Sequence, residues 1–427
     1  MTTTRRAAVL GGNRIPFARQ FGAYAEASNQ DMLTAAIEGL VARHGLAGER
    51  VGEVVAGAVI KHSHDFNLTR EAVLGSSLAA TTPAYDIQQA CGTGLEAAIL
   101  VANKIALGQV DSGVAGGVDS ASDAPVLVSE KLRRKLLRLG RARSAAERAK
   151  AVAALRPTDI GIRTPANAEA RTGLSMGEHM AMTAAEWGIG REAQDELALA
   201  SHHKLAAAYD RGFFDDLMTP YLGLTRDQNL RPDTTPEKLA SLRTVFGSGD
   251  DATMTAGNST PLTDGASTVL LGSQEWAAEH GLTPLAWFVD GETAAVDYVS
   301  GRDGLLMAPA YAVPRLLARN GLRLQDFDVY EIHEAFAATV LTTLAAWESE
   351  EFCTERLGLD APLGPIDRDK INPNGSSLAA GHPFAATGGR IVAGLAKELH
   401  AKGKGARGLV SICAAGGQGV VAILEAA

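Results

Sequence analysis

Cysteine is scarce in this sequence: three residues in 427, at Cys91, Cys353 and Cys413. An odd number with no two close together excludes a closed set of disulfides, a zinc ribbon and a CxxC redox pair, and a reducing compartment is the simpler expectation. Long apolar runs are also missing. Nothing approaches the ~20 residues that cross a bilayer, and the opening MTTTRRAAVLGG carries too short an apolar run for a secretory signal. The expectation is a soluble, cytoplasmic protein. A basic excess is absent as well. Lys and Arg number 40 against 49 Asp and Glu, a formal net charge of -9, which argues against a general nucleic-acid binder. No motif has the spacing of a metal site.

Glycine, by contrast, is plentiful at 46 residues, and many glycines sit in short clusters beside apolar runs, where they favour tight strand-to-helix turns. Short strand candidates (RAAVLGG, VVAGAVI, AYDIQQA, SGVAGGV) alternate with helical stretches in the first half, and LAWFVDG, VYEIHEA, RGLVSIC and GVVAILEA repeat the alternation in the second. That is the pattern of a layered α/β protein with mixed sheets. An internal echo points to two related halves. VARHGL at Val41–Leu46 returns as LARNGL at Leu317–Leu322, and CGTGLEAAILVANKIALG is matched by GHPFAATGGRIVAGLAKELHAKG, each a small-residue turn followed by a helix. Between Val126 and Gly177 the composition changes. Basic residues crowd the helical stretch from Lys131 to Lys150, with leucines interspersed and only Glu130 and Glu147 as acids. Such a stretch is either an amphipathic basic surface for a membrane, a partner or an acidic ligand, or a solvated helical face. Asp227 to Asp251, rich in polar residues and proline, reads as a surface excursion.

Four of the chain's unusual residues fall at turns or element ends where chemistry is accessible. Cys91, in YDIQQACGTGLEAA, ends an extended segment and begins a helix; unpaired amides and the positive helix end favour a thiolate there. A free cysteine is more often a small buried apolar residue, but the repeat places His382, in NPNGSSLAAGHPFAATGGR, at the matching position of the second half. Two facing helix N-termini would bring a base to a nucleophile, the arrangement that acyl transfer needs. Cys413, in LVSICAAGGQG, sits at a turn whose amides can hold an oxyanion and whose thiol can move a proton. His333, in VYEIHEAFAA, ends a strand candidate and can polarise a carbonyl directly or through water. Cys353 has acidic neighbours that disfavour a thiolate.

These motifs together resemble the thiolase family: NRIPFAR from Asn13, ACGTGLEAA around Cys91, AGGVDSASDAP from Ala115, LSMGEHMA from Leu174, TAGNSTPLTDGAS from Thr255, EIHEAFA from Glu331, GHPFAATGGR from Gly381 and CAAGGQG from Cys413. The resemblance implies two α/β halves with five-stranded mixed sheets, layered α-β-α-β-α. The first half would cover 1–125 and 255–283, an inserted loop domain 126–254, and the second half 284–427. It makes Cys91 the acylated nucleophile, His382 its base and Cys413 the acid/base at the substrate's α carbon. His333 and His382 would form one oxyanion site, His333 through a held water in the usual family arrangement, and the backbone N–H groups of Cys91 and Ala415 the other. Many relatives have glycine at Ala415, whose methyl would narrow the pocket. Met176, Ala256, Thr260, Ala335 and Phe336 would lie along the pantetheine arm of coenzyme A, a co-substrate rather than a bound cofactor. His333 replaces the asparagine of many thiolases, and HEAF is similar to the β chains of trifunctional fatty-acid oxidation complexes. The implied activity is thiolytic cleavage of 3-ketoacyl-CoA in fatty-acid β-oxidation, by a homodimer or homotetramer. A hydratase/dehydrogenase partner chain follows from the same resemblance, and peripheral membrane contact through residues 131–150 is the expectation from that stretch's own basic, leucine-interspersed composition. The competing readings are an acetoacetyl-CoA-forming biosynthetic thiolase, a ketosynthase-type condensing enzyme and a catalytically silent partner subunit.

Overall fold

A computed structural model describes residues 5–249 and 251–427; the MTTT that opens the stretch weighed as a signal lies outside them, as does Asp250. Nine strands form the main sheet: β1 Ala7–Arg14, β2 Glu53–Ala56, β3 Ala84–Asp86, β4 Ser112–Asp119, β5 Thr263–Ser273, β6 Ala286–Ala295, β7 Val329–Ile332, β8 Arg407–Ala414 and β9 Gln418–Ala426. Their spatial order is β7-β8-β9-β6-β1-β5-β4-β2-β3, with a short strand at Ala18–Arg19 added to β5. The order is symmetrical about its centre. Reading outward from β1 gives β5, β4, β2, β3; reading outward from β6 gives β9, β8, β7. The β2–β3, β2–β4 and β7–β8 pairs are parallel and the rest antiparallel.

Two features differ from a pair of separate five-stranded sheets. The halves are stitched edge to edge where Ala7, Ala8 and Val9 of β1 pair with Phe288, Trp287 and Ala286 of β6. The outermost strand of the second half shrinks to a single parallel bridge from Tyr330 to Ile371, because Ile371 is followed by Asn372 in the left-handed region at φ 46°, which turns the chain away.

Two helices occupy the middle layer, α3 (Thr93–Ala106) of the first half and α10 (Ala386–Lys402) of the second. Both are buried on most of their surface. Leu95, Ala98, Val101 and Ile105 of α3 share one core with Ile391, Val392, Leu395 and Leu399 of α10 and with strand residues from both halves. Small residues permit this packing. A methyl on Gly94 would lie 2.6 Å from the carbonyl oxygen of Ala385, and one on Gly388 would strike the backbone nitrogen of Leu95. The outer faces are covered by α1 (Asn29–His44) and α2 (Leu68–Leu74) on the first half and by α8 (Ala308–Asn320) and α9 (Ala337–Glu348) on the second. The echoed GL pairs close equivalent helices: Gly45 after α1 and Gly321 after α8 both take the left-handed conformation, at φ 67° and 62°.

The inserted region divides in character. Its basic stretch folds as a helical hairpin, α4 (Glu130–Arg141) and α5 (Ala145–Ala153), with no buried residue in either helix. A capping box at Ser144 and Glu147 starts α5. Farther along, α6 (Met176–Glu186) and α7 (Arg191–Asp210) pack onto the body, and Leu205, Tyr209, Phe213, Leu217 and Met218 join the central core. Asp227, expected on a surface excursion, is buried at 4% exposure. The Arg14 guanidinium grips both of its carboxylate oxygens at 2.5 and 2.7 Å, and Tyr209 Oη–H donates to it at 2.8 Å. A buried charge persists only with such partners. No helix among the described residues is long and apolar enough to cross a membrane.

Candidate active site

Cys91 sits one residue before Gly92, the N-cap of α3. The turn that presents it is strained: Ala90 has φ 45°, a region that costs a β-carbon residue free energy and recurs where a side chain must be aimed. His382 occupies the matching turn before α10. Its backbone N–H donates to Thr263 Oγ1 at 2.8 Å, and the start of α10 is pinned to the first half by the Ala385 N–H bond to Asp119 at 2.9 Å. His333 follows β7, where Asn372 accepts the N–H of Ile332 and donates to its carbonyl, both at 2.9 Å. Cys413 is the penultimate residue of β8.

These placements converge. The Cys91 sulfur and one ring nitrogen from each of His333 and His382 lie within 4.8 Å of one another, and the two imidazoles are tilted together with centroids 4.1 Å apart. Nδ1 of His382 lies 2.6 Å from Thr387 Oγ1, and Nδ1 of His333 lies 2.8 Å from Ser377 Oγ. Both Nε2 atoms are buried with no protein partner. The backbone N–H groups of Ala415 and of Cys91 itself both act on the Cys91 sulfur, pulling its thiol down. Gly416 N–H donates to Glu169 of the inserted region at 2.7 Å, which anchors the turn that carries Ala415.

Burial governs the ionisation of this cluster. It pushes the Cys91 thiol up to about 12, outweighing the two backbone donors that pull it down. It raises the Cys413 thiol further, with the neighbouring Cys91 adding to the effect. Burial lowers His382 to about 3, aided by the Arg390 charge, and His333 is held well below its usual value by burial, His382 and Arg390. The resting site is therefore a neutral thiol beside neutral imidazoles. Burial therefore opposes the thiolate that the helix end favours at Cys91.

Two cavities meet at Cys91. One, of about 180 Å³, is lined by Met176, Thr260, Ala335, Phe336, His382 and Cys413. The other, of about 670 Å³, runs beneath Val59, Ile60, Ala124, Pro125 and Ala166. Cys91, Met176, Phe384 and Ala415 belong to both. Thr260 donates its hydroxyl to the carbonyl of Ala335 at 2.9 Å, fixing it in the narrower cavity wall. Ala256, expected beside it, is exposed and lines neither cavity. Ser377, Thr387, Asn372, Glu169 and Ala90 were not singled out in the sequence. Asn372 and Ser377 lie in the quoted NPNGSSLAAGHP, whose density of turn residues is their one sequence signal.

Comparison with known proteins places this geometry. Residues 7–275 match the family model for the thiolase N-terminal domain and residues 282–426 that for the thiolase C-terminal domain. The chain is 41% identical over 426 residues to the 3-ketoacyl-CoA thiolase of Pectobacterium carotovorum subsp. carotovorum, covering 98% of this chain and 96% of that one. It is 39% identical to the 3-ketoacyl-CoA thiolase of Yersinia enterocolitica, covering 98% and 97%. Among solved structures it is similar to the Bacillus anthracis acetyl-CoA acetyltransferase, with TM-score 0.82 at 30% identity over the whole of both chains. It is also similar to human mitochondrial 3-ketoacyl-CoA thiolase in complex with CoA, with TM-score 0.81 at 28% identity, covering 99% of this chain and 98% of that one.

Proposed function

The chain belongs to the thiolase family of acyltransferases, and from that premise we propose that it cleaves 3-ketoacyl-CoA with CoA to acetyl-CoA and a shortened acyl-CoA, in fatty-acid β-oxidation. The observation that carries this reading is the meeting of Cys91, His333 and His382 within 4.8 Å, with Cys91 lining both cavities. The narrower cavity suits a pantetheine arm passing Met176, Thr260, Ala335 and Phe336. The wider one suits an acyl tail, and its about 670 Å³ favours substrates longer than acetoacetyl-CoA over the biosynthetic alternative.

In the proposed cycle His382 Nε2 takes the Cys91 proton as the sulfur adds to the 3-keto carbon. The oxyanion formed there is held by the N–H groups of Cys91 and Ala415. The bond between C2 and C3 then breaks, and its electron pair enters the acetyl-CoA enolate. That enolate oxygen faces His333 and the now protonated His382, and Cys413 gives its proton to C2. CoA next attacks the acyl thioester on Cys91. Its thiol proton goes to the Cys413 thiolate, and the Cys91 sulfur recovers a proton from His382, so the ledger closes. CoA is consumed as a co-substrate. Intact-mass spectrometry with a 3-ketoacyl-CoA should reveal an acyl adduct that Cys91→Ala abolishes, together with thiolysis, by a factor on the order of 10⁴ or more. An unmodified wild-type mass under turnover would sink the mechanism.

The same reading carries a homodimeric or homotetrameric assembly and a hydratase/dehydrogenase partner chain. It also gives the hairpin a role at an anionic membrane surface, supported by Leu136 and Leu137 at 43% and 48% exposure among its arginines. Flotation with anionic liposomes checks that role; wild-type protein that stays at the bottom of the gradient removes it.

A further inference from the structure

We propose that Arg390 and Ser377 act as positioning residues that lock the proton of His333 onto Nε2. The argument is one of donors and acceptors, and it rests on the thiolase reading only for what the lock is used for.

Ser377 is fully buried. Its hydroxyl has two neighbours among the described residues: Nη2 of Arg390 at 3.0 Å and Nδ1 of His333 at 2.8 Å. A guanidinium only donates, so Arg390 must give a hydrogen to Ser377 Oγ. The single hydroxyl hydrogen then has one acceptor within reach, Nδ1 of His333. In the opposite assignment Nδ1–H would donate to Ser377 and the serine hydrogen would be buried without a partner, a loss of about 1–3 kcal/mol. With Nδ1 accepting, the ring proton of the neutral imidazole resides on Nε2, the buried atom with no protein partner.

Arg390 is itself held in place for this task. Its Nη2 also donates to Ser376 Oγ at 3.1 Å, and the buried carboxyls of Glu331 and Glu334 act on its charge. Glu334 accepts hydrogen bonds from Ser201 at 2.6 Å, Asn372 at 2.7 Å and the backbone N–H of Leu378 at 3.2 Å. The cation, the serine and the loop bearing His333 therefore belong to one network behind the site.

Around His382, among the described residues, only Thr387 Oγ1 lies within reach of Nδ1, at 2.6 Å, and no cation donates to that hydroxyl; the lock is confined to His333. His333, unable to invert without orphaning Ser377, remains a fixed donor to the enolate oxygen.

A neutron structure of the full-length resting enzyme reads the lock directly. The expected map has a deuteron on Nε2 of His333, none on its Nδ1, and the Ser377 O–D directed at Nδ1; a deuteron on Nδ1 overturns the proposal whatever the reaction proves to be. Kinetics then test its use. Removing one preorganised oxyanion donor typically costs about 10²–10³ in kcat, so Ser377→Ala should lose about that much in carbon–carbon cleavage. Acyl exchange between Cys91 and CoA, which forms no enolate, should stay within about threefold, as should KM. Arg390→Lys, still a donor only, should retain more cleavage than Arg390→Gln, whose carbonyl offers Ser377 another acceptor. Equal loss of cleavage and exchange in Ser377→Ala overturns the positioning role. Absence of thiolysis in the wild type would instead remove the functional reading and leave the tautomer standing.

Discussion

The central helix pair, α3 and α10, and the basic hairpin, α4 and α5, treat the same kinds of residue in opposite ways. Around the central pair, burial holds ionisable groups neutral, with Cys91 raised to about 12 and His382 lowered to about 3. In the hairpin, hydrogen bonds from Arg133 and Arg134 pull the exposed Glu130 carboxyl down to about 2. Glycine behaves likewise. Gly94 and Gly388 are sites where two backbones touch, whereas a methyl on Gly140 of α4 would meet nothing within 4 Å. The central pair owes its stability to packing and shapes a site; the hairpin stands on caps and solvent-exposed ion pairs. Chemistry that needs water-excluded, neutral nucleophile and base is confined to the first region.

The comparison breaks most visibly under pH. If burial holds Cys91 as a thiol, the thiolate fraction in the resting enzyme grows about tenfold per pH unit through the neutral and mildly alkaline range. Alkylation of Cys91 by iodoacetamide, followed by mass spectrometry, should climb without levelling between about pH 7 and pH 10. A plateau near neutrality would show that the helix end outweighs burial. The sign for His382 is the reverse: lowered to about 3, it stays uncharged as pH falls through 6.5, the value at which an exposed imidazole gains its proton. Acylation of Cys91 should therefore show no inflection there.

A smaller effect concerns the crossing of the central helices. Gly388→Ala places a methyl against the backbone nitrogen of Leu95 and 2.6 Å from the carbonyl carbon of Gly94, where no flexible side chain can give way. The expected loss is about 1–3 kcal/mol, read as a lowered denaturation midpoint, with Cys91 acylation slowed because the helices carrying nucleophile and base are forced apart. An unchanged midpoint would mean that the two helices have room to separate.

Much of this arrangement is legible in the chain because the two halves repeat it. The GL echo at Leu46 and Leu322 marks the ends of equivalent helices, and the small-residue turns at Cys91 and His382 mark the starts of the two central ones. Local chemistry determines these features: left-handed glycines end helices, and only small residues fit a close crossing. What is not legible depends on partners distant in sequence. Asp227 looks like surface until Arg14, 213 positions away, supplies its counter-charge. Ser377 is one more small residue in NPNGSSLAAGHP until the fold sets Arg390 on one side of its hydroxyl and His333 on the other. The balance at Cys91 is hidden for the same reason. A helix terminus is visible in sequence, but the desolvation that outweighs it is a property of everything packed around the sulfur.

The hairpin supplies the mildest test and the one with the opposite sign. Gly140→Ala removes the backbone entropy that glycine loses in a helix and adds a methyl in open space, so it should stabilise α4 by up to about 1 kcal/mol. The global midpoint should not move, because neither helix of the hairpin buries a residue in the cores that hold the molecule together. The gain belongs to local opening, and hydrogen exchange of the α4 amides is the measurement that sees it. Up to about 1 kcal/mol corresponds to as much as about a fivefold increase in protection. A rise in the global midpoint of equal size would mean that the hairpin melts with the body, and the contrast between a packed pair and a free-standing one would fail.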